Sequence, residues 1–408
     1  MKIAVWYNLP SGGAKRALFC QIKYLLARGH YVEVWCPSTA NRSFMPLSDI
    51  VCENVYSINW PSVKKTSLLW QVKKYINISK KIKMLEKHSH EVARVINKRK
   101  FDVLLAHGDQ YLAAPSISRY VQIPSILYLQ EPNRQIYEAF LSESQNTLQK
   151  PKKVYDLSVN IIGYVKDVFK THGNRMKANQ ELKNATAFTR ILVNSYYSRE
   201  SVLRSYGLDP YVCYLGVETG KFKPQNKTKY SNKIIGIGSI TKTKNIEFII
   251  KALSLIQDKK TILTWIGNFA DENYLNNIVA YAKILSVELR ICVGLTEEEL
   301  ITEISSSNIM VYSPRLEPFG FVTLEANACG VPVVAVAEGG VRETVKDGVN
   351  GYLCSNDPAD MADKIKILLE NANLYQSLCR SCRKHVEESW TWRKSIDELE
   401  KHLKYVVE

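Results

Sequence analysis

The chain has 408 residues, of which 46% are hydrophobic and 23% charged. These values are ordinary for a globular protein of two or three domains, and they exclude a disordered, collagen-like or coiled-coil chain. Its charge is unusual: 55 Lys or Arg against 40 Asp or Glu give a net charge of +15. Residues 1–200 hold 30 basic and 14 acidic side chains and residues 201–408 hold 25 and 26, so the excess lies in the first half. Such charge is typical of proteins that bind nucleic acid, anionic membranes or phosphorylated ligands.

The cellular compartment is indicated by what the sequence lacks. No run of 18 apolar residues is present, and the N-terminus enters a strand pattern directly, so we expect neither a membrane-spanning helix nor a secretory signal. The nine cysteines are an odd number with apolar neighbours, which favours free thiols in a reducing compartment. Cys379 and Cys382 lack a second pair at zinc spacing and are predicted to lie on one helix. We therefore predict a cytoplasmic protein.

The first half opens with a β-α-β pattern. A strand at residues 3–7 is followed by a glycine-containing loop at 10–13, a helix over 14–28 with one apolar stripe, and a strand over 31–35. Such a unit implies a parallel sheet. Three further strands are predicted in this half, at residues 103–106, 125–129 and 191–193.

The second half repeats this alternation. Strands are predicted at 233–237, 262–266, 289–293, 309–312 and 332–336, and helices at 245–256, 274–285, 297–305 and 321–328. The sequence thus predicts an α/β protein with two doubly wound, Rossmann-like domains. Gly and Pro residues near 207–230 indicate the boundary between them. We expect an N-terminal domain over 1–207, a C-terminal domain over 208–388, and a helix over 389–408. Whether that helix returns to the first domain is left open.

The strongest motif follows the strand predicted at 309–312. A loop containing Glu317, Pro318 and Gly320 leads into a helix that carries Glu325. The backbone N–H groups at 319–321 would lie at the start of this helix, where sugar hydroxyls or phosphate oxygens can accept from them. Glu325 has small apolar neighbours, which favours a carboxylate with a specific partner over a solvated helix residue.

Glu317 and Glu325 resemble the E-x7-E motif of retaining nucleotide-sugar glycosyltransferases with the GT-B fold, carbohydrate-enzyme family 4. The resemblance extends over most of the chain. It includes the segments 12–14, 28–30, 317–320, 325–326, 329–334, 339–340 and 347–351. It implies two Rossmann-like domains facing across a cleft in which a nucleotide sugar binds.

The resemblance also implies roles for residues of the second half. Glu325 would accept hydrogen bonds from the ribose hydroxyls of the donor, and Glu317 would contact the donor sugar or stabilise charge near its anomeric carbon. Phe319, Gly320 and Phe321 would hold the sugar or diphosphate, the last two through their backbone amides. Lys244 would stabilise the departing nucleoside diphosphate.

One position departs from the family pattern. Ser239 stands where the family usually has Arg, and a Ser side chain cannot make a charged, bidentate contact. Either Lys242 or Arg315 would then compensate, and the sequence does not choose between them. The departure concerns how phosphate is bound and leaves the family resemblance intact.

In the first half, Gly12 and Gly13 would let the backbone approach the donor diphosphate. His107 follows the predicted strand 103–106 and matches the active-site His of the family's N-terminal domain, where it would donate to a sugar hydroxyl. Glu131 follows the strand predicted at 125–129 and would hold the acceptor. For Glu131, a solvated carboxylate at a strand end is an equal alternative.

Other ligand classes lack their motifs. No G-x-G-x-x-G follows the first strand, and no G-x4-G-K-[ST] is present, which argues against a nicotinamide cofactor and a P-loop. Without an Asp-x-Asp, the metal-held diphosphate site of the other glycosyltransferase fold has no ligands. We therefore expect no metal and no cofactor, and the absence of a recognition module argues against nucleic acid.

A basic segment distinguishes the first half. Residues 60–100 contain twelve Lys or Arg and two acids, Glu86 and Glu91, with apolar residues at helical spacing. Soluble helices normally mix both charge signs. We therefore consider two interpretations. The segment contacts an anionic membrane that carries a lipid-linked acceptor, or, more simply, it is a helix with a solvated polar face.

The sequence thus predicts a retaining, metal-independent glycosyltransferase that moves a sugar from a nucleoside-diphosphate donor, UDP-hexose by the resemblance, to a glycan or lipid-linked hydroxyl. The alternatives are a nucleotide-sugar epimerase or a phosphorylase of the same fold. A protein that binds nucleotide sugars or nucleic acid without catalysis is the alternative outside enzymes.

Overall fold

The computed structural model describes residues 1–60, 70–138, 157–225, 232–256 and 261–408. The chain divides into two compact units. The first comprises Met1–Asn194, Arg199–Cys213 and Ile396–Glu408, and the second comprises Ser195–Ser198 and Tyr214–Ser395.

The first unit is built on a parallel sheet that has seven strands among the described residues, in the order β3-β2-β1-β4-β5-β6-β7. Its strands are β1 (Lys2–Asn8), β2 (Tyr31–Pro37), β3 (Cys52–Tyr56), β4 (Val103–Asp109), β5 (Ser125–Tyr128), β6 (Arg190–Val193) and β7 (Tyr211–Val212). The helices up to β7 are α1 (Gly13–Ala27), α2 (Trp70–Lys98), α3 (Arg134–Tyr137), α4 (Leu157–Ala185) and α5 (Tyr196–Tyr206), of which α5 begins in the second unit.

The second unit has a parallel sheet of six strands within the described ranges, in the order β10-β9-β8-β11-β12-β13. Its strands are β8 (Lys233–Ile237), β9 (Ile262–Gly267), β10 (Glu288–Val293), β11 (Ile309–Tyr312), β12 (Val333–Val336) and β13 (Gly351–Cys354). Its helices are α6 (Ile246–Ser254), α7 (Glu272–Ile284), α8 (Glu297–Ser305), α9 (Phe321–Ala328), α10 (Val341–Thr344), α11 (Pro358–Glu370) and α12 (Ala372–Ser389). A last helix, α13 (Trp392–Val407), begins here and continues in the first unit from Ile396.

The central strands form because they are apolar on both faces. Residues 3–8 of β1 and all of β8 and β11 are buried, as expected for parallel strands covered by helices on both sides. Trp6, Trp35 and Phe101 belong to the core of the first unit. Trp265 belongs to the core of the second. The fold class predicted from the sequence is confirmed.

Strand order explains where ligand sites are expected. In the first sheet the chain order reverses between β1 and β4, and in the second between β8 and β11. At such a switch point the two loops after the strands leave in opposite directions and open a crevice at the carboxyl edge of the sheet. In each unit we therefore expect a crevice between the loops that follow these strand pairs.

Some elements differ from the sequence prediction. The helices at 297–305 and 321–328 have the predicted bounds. Helix α6 begins one residue later than predicted, because Asn245 adopts a left-handed conformation, and it ends at Ser254. Strands β3, β7 and β13 and helices α4, α11 and α12 were not predicted. Cys379 and Cys382 both lie on α12, as predicted.

Candidate functional site

The switch point of the second unit brings together two of the predicted site residues. Lys244 lies in the loop after β8 and Glu317 in the loop after β11, and the two strands are neighbours. Lys244 Nζ lies 2.7 Å from Glu317 Oε2, and both side chains are largely buried. A backbone bond from Arg315 N to Thr243 O, 2.8 Å long, joins the two loops. A positive and a negative group thus lie side by side at the carboxyl edge of the sheet.

The loop around Glu317 is fixed by close backbone packing. A Cβ on Gly339 would lie 2.3 Å from Glu317 O, and a Cβ on Gly340 would lie 2.2 Å from Pro318 O. Gly340 N donates to Glu317 O at 2.8 Å, and Ser195 Oγ donates to Pro318 O at 2.6 Å. The glycine pair that the sequence resemblance included is therefore required for this close approach.

The start of α9 carries the rest of the motif. Gly320 precedes the helix with a φ of +90°, a conformation that favours glycine. Thr323 Oγ1 donates to Gly320 O at 2.7 Å and secures this turn. Glu325 lies in the second turn and is 3% exposed, so the alternative of a solvated carboxylate is wrong. Its role toward a ribose is a prediction from the resemblance.

Aromatic side chains cover the same loop. The ring of Phe319 packs against Phe321 and Trp390, at centroid distances of 5.3 and 5.7 Å. The ring of Phe321 in turn lies 6.3 Å from Trp392. The side chain of Phe319 is thus buried in an aromatic cluster, and a contact of this residue with the donor would involve its backbone.

The three residues at the departure from the family pattern differ in their surroundings. Ser239 Oγ lies 3.3 Å from Thr241 Oγ1. Arg315 Nη1 is 2.9 Å from Glu338 Oε2, and Lys242 is exposed. Lys242 therefore has room to reorient toward a phosphate, whereas Arg315 would have to leave Glu338. Which of them compensates for Ser239 stays a prediction.

The switch point of the first unit forms a pocket of about 370 Å³. It lies at the carboxyl ends of β1, β4 and β5, next to the start of α1, and Ala14 is part of its wall. Gly12 precedes α1 with a φ of +136°, and Gly13 is its first residue. Both predicted glycines lie in the chain between Pro10 and Ala14, which line the pocket, and a Cβ on Gly12 would meet no atom within 4 Å.

His107 lines this pocket. It lies within β4, not after the strand as predicted, because pairing with β5 continues to the His107–Tyr128 position. Its ring stacks on Tyr128 at a centroid distance of 5.4 Å, and its Nε2 is buried without a hydrogen-bond partner among the described residues. Burial, together with the charge of Lys15, lowers the pKa of His107 to about 3. The imidazole is therefore neutral at pH 7, with Nε2 able to meet a hydroxyl.

Two buried carboxyl groups that the sequence analysis missed hold the loop after β4. Asp109 Oδ1 accepts from Tyr111 N at 2.7 Å, and Glu181 Oε1 on α4 accepts from Ala113 N at 3.1 Å. Burial raises the pKa of Asp109 to about 6 and that of Glu181 to about 7. Asp109 follows His107 and Gly108 at the end of a predicted strand, and this position could have marked it as a candidate site residue. No sequence feature marks Glu181 in this way, because α4 was not predicted.

Glu131 also lines the pocket. Its carboxylate is hydrogen-bonded to Arg134 in the next helical turn, and Glu138 lies 3.9 Å from the same guanidinium. The adjacent Gln130 has a buried Nε2 without a hydrogen-bond partner in the described part of the chain. An acceptor role for Glu131 therefore stays a prediction, and Gln130 is a second polar group at this position.

The basic segment predicted at 60–100 is described only in part. Residues 61–69 lie outside the described residues, and α2 covers 70–98. From residue 77 onward its apolar side chains are buried, and its exposed face is basic, with Lys80, Lys83, Lys87, Arg94 and Lys98. Glu91 lies 3.9 Å from Lys87 on the same face. No helix in the described ranges has the length and apolarity needed to cross a membrane.

Among the described residues, no group of three or more His, Cys, Asp or Glu side chains is placed to hold a metal ion. The expectation that no metal is required is a statement about the reaction, and it stays a prediction.

The second unit carries the clearest likeness to known proteins. Residues 218–385 match the sequence model of the family described as glycosyl transferases group 1. N-acetyl-alpha-D-glucosaminyl L-malate synthase of Bacillus anthracis is 28% identical over 192 residues, which are 46% of this chain and 49% of that protein. D-inositol 3-phosphate glycosyltransferase of Geodermatophilus obscurus is 27% identical over 235 residues, 52% of this chain and 51% of that protein. The chain spans about half the length of these curated relatives.

The fold of the whole chain is found in solved structures. Anabaena HepE, in complex with UDP and glucose, superposes with a TM-score of 0.72 at 17% identity, covering 99% of both chains. At this identity the likeness concerns the fold, which is GT-B as predicted. The chain therefore has the GT-B fold, and its residues 218–385 are similar to the group 1 glycosyltransferases.

Proposed function

We propose that this chain is a retaining glycosyltransferase that moves a hexose from a UDP-hexose donor to a hydroxyl of a glycan or lipid-linked acceptor. The observation that carries the proposal is the ion pair between Lys244 and Glu317 at the switch point of the unit that matches the family. The presence of UDP and glucose in the HepE structure favours UDP over other nucleotides.

In this proposal Lys244 acts on the leaving group. A diphosphate at this edge of the sheet would gain the ammonium charge, which stabilises the negative charge that develops as the glycosidic bond breaks. Glu317 Oε2 accepts a hydrogen bond from Lys244 Nζ at 2.7 Å, which holds the ammonium group in place. The Glu317 carboxylate would also stabilise positive charge near the anomeric carbon. Glu325 would accept from the ribose hydroxyls, and the backbone amides of Gly320 and Phe321 would donate to the sugar or diphosphate.

Transfer with retention would then proceed on one face of the sugar. The departing diphosphate itself takes the proton of the acceptor hydroxyl, so the reaction requires neither a dedicated general base nor a metal. Gly12 and Gly13 would approach the diphosphate. The neutral imidazole of His107 would carry its proton on Nε2 and would donate a hydrogen bond from this atom to a sugar hydroxyl.

A radiolabelled donor tests the proposal. The purified chain is incubated with UDP-, GDP- and ADP-hexoses and a mixture of glycan and lipid-linked acceptors, with and without EDTA. We expect UDP release and transfer of label to an acceptor, in the α configuration from an α-linked donor, unchanged by EDTA. Label that stays on the nucleotide as a different hexose would indicate an epimerase. A reaction that depends on inorganic phosphate would indicate a phosphorylase. Binding without any turnover would indicate a non-catalytic protein.

A further inference from the structure

Leu316, the residue before Glu317, has an uncommon backbone conformation. Its φ is +55°, in the left-handed region that aliphatic residues rarely adopt because Cβ comes too close to the following carbonyl oxygen. Non-glycine residues keep this conformation only where their surroundings hold them, and such residues are concentrated at functional sites. The side chain of Leu316 is half-buried in the loop after β11. A specific contact is therefore needed to hold its backbone.

The side chain of Glu338 supplies that contact. Its Oε1 accepts a hydrogen bond from Leu316 N at 2.8 Å, and its Oε2 accepts one from Arg315 Nη1 at 2.9 Å. A single carboxylate thus binds two consecutive residues, one through the backbone and one through the side chain. Hydrogen bonds to an ionised acceptor are stronger than neutral ones. The Glu338 and Arg315 side chains are 24% and 29% exposed, so solvent screens their attraction only in part.

Glu338 lies in a loop that is itself anchored. The loop follows β12, and Ala337 N donates to Cys354 O at 2.8 Å, which ties the loop to the end of β13. Gly339 and Gly340 come directly after Glu338 and pack against the backbone of residues 317–318. The carboxylate and the two glycines therefore hold successive residues of the neighbouring loop.

The residue held by Glu338 lies directly before the ion pair. Glu317 Oε2 is 2.7 Å from Lys244 Nζ, and the peptide unit before Glu317 belongs to Leu316. A change of φ at Leu316 would redirect the chain at Glu317 and move its carboxylate away from the ammonium. The Lys244 loop has its own bond to the backbone, from Arg315 N to Thr243 O, which does not involve the carboxylate of Glu338.

We propose that Glu338 is a positioning residue, which holds Leu316 in the left-handed conformation and thereby fixes Glu317 beside Lys244. The effect on transfer rests on the proposed function, whereas the effect on the loop does not. Glu338 acts through Glu317, so it requires no contact with the donor or the acceptor.

A comparison of variants at positions 338 and 316 tests the proposal. The donor is the UDP-hexose that the wild type turns over in the radiolabelled assay, and UDP is the binding probe. We expect Glu338→Ala to lower kcat about tenfold, because small displacements of a reacting group are costly, and to change the Kd of UDP less than about threefold. Glu338→Gln keeps an acceptor for Leu316 N and should lose less than about threefold in kcat. Glu298→Ala, at an exposed position on α8, is the control.

Glycine adopts the left-handed conformation without the steric penalty of a side chain. In a Leu316→Gly background, the further change Glu338→Ala should therefore lower kcat by less than about threefold relative to Leu316→Gly alone. A general loss of stability would not depend on the residue at position 316. If Glu338→Ala does not fold, Leu316→Val takes its place, because a β-branched residue disfavours a positive φ and should lower kcat about tenfold.

Crystal structures of the same variants give a readout that is independent of turnover. In Glu338→Ala we expect a negative φ at Leu316 and a distance between Lys244 Nζ and Glu317 Oε2 greater than about 4 Å, the limit of an ion pair. In Glu338→Ala/Leu316→Gly the positive φ and the ion pair should return.

The proposal would be overturned by a kcat of Glu338→Ala or of its substitute Leu316→Val within about twofold of the wild type, or by an equal loss in the Leu316→Gly background. A positive φ at Leu316 in the Glu338→Ala structure would also overturn it, as would a loss of UDP affinity as large as the loss of kcat. If the wild type transfers no label, the proposed function fails, and the crystal structures still decide whether Glu338 fixes Glu317.

Discussion

The ion pair between Lys244 and Glu317 brings together, at 2.7 Å, the two opposite charges that the proposed reaction needs. A diphosphate that arrives beside Lys244 competes with Glu317 for the ammonium. Removing the Glu317 charge should therefore leave diphosphate binding intact or tighter while it slows transfer, whereas removing the Lys244 charge should weaken both. The pair thus makes a different prediction for each partner.

His107 provides a pH prediction at the scale of one residue. Burial disfavours the protonated imidazole, so its pKa of about 3 lies below the ordinary value, and the ring stays neutral through pH 4. In ¹⁵N-histidine NMR we expect its resonances to show no protonation between pH 8 and 4.5, and to be absent in His107→Gln. Burial also lowers the pKa of His88 to about 4, so the variant is needed for assignment. A resonance lost in His107→Gln that titrates near pH 6.5 would contradict the prediction.

At the scale of elements, a buried amide pair ties α9 to the segment that precedes β13. Asn350 Nδ2 donates to Asn327 Oδ1 and Thr344 O, and Asn350 Oδ1 accepts from Lys346 N. Asn327 Nδ2 donates in turn to Asn350 O and Val331 O. Both side chains are completely buried. The 347–351 segment of the family resemblance therefore has a structural role: it anchors the helix that carries Glu325.

Asn350→Ala should destabilise the second unit by about 2–4 kcal/mol, because it leaves several buried polar groups unpaired. For a unit of this size we expect the thermal midpoint to fall by about 5–10 °C, measured by differential scanning calorimetry. Asn276→Ala, on the exposed face of α7, is the matched control and should shift the midpoint by no more than about 1 °C. A midpoint for Asn350→Ala equal to that of the control would show that the amide network contributes little.

The elements also show what sequence reasoning reached. Glu317, Gly320 and Glu325 were placed correctly on a loop and a helix, because β11 and α9 have clear apolar patterns and a glycine between them. Strand β3 was missed because its residues are only partly buried and its polar Glu53 and Asn54 break the apolar pattern. The contacts of Glu338 with Arg315 and Leu316 join two loops that are separate in the chain. Only tertiary packing brings them together.

At the scale of the whole molecule, charge is distributed unequally between the units. The first unit holds 33 Lys or Arg and 19 Asp or Glu, net +14, and the second holds 22 and 21, net +1. The unit with the proposed donor site is thus nearly neutral, and the basic one contains the pocket lined by Glu131, for which an acceptor role is predicted. The exposed basic face of α2 is the described surface on which the proposal of membrane contact depends.

Vesicle co-sedimentation tests that proposal. We expect binding to anionic vesicles at low salt, little binding to neutral vesicles, and loss at high salt because exposed charges are then screened. At ~1 kcal/mol for each lysine, the triple variant Lys80→Gln/Lys83→Gln/Lys87→Gln should bind about 100-fold more weakly. The control Lys251→Gln/Lys283→Gln/Lys384→Gln removes three exposed charges from the second unit. Equal losses in both triple variants, or equal binding to neutral vesicles, would contradict membrane contact through α2.

The most direct test of the central claim compares Glu317→Gln and Lys244→Ala by steady-state transfer from the donor and by calorimetric binding of UDP. We expect both variants to lose about 10²–10³-fold in turnover. Lys244→Ala should also bind UDP more weakly, whereas Glu317→Gln should bind it at least as tightly as the wild type. Glu298→Gln and Lys251→Ala, at exposed positions, are the controls. Near-wild-type turnover in both Glu317→Gln and Lys244→Ala would contradict the assignment of this ion pair to the reaction.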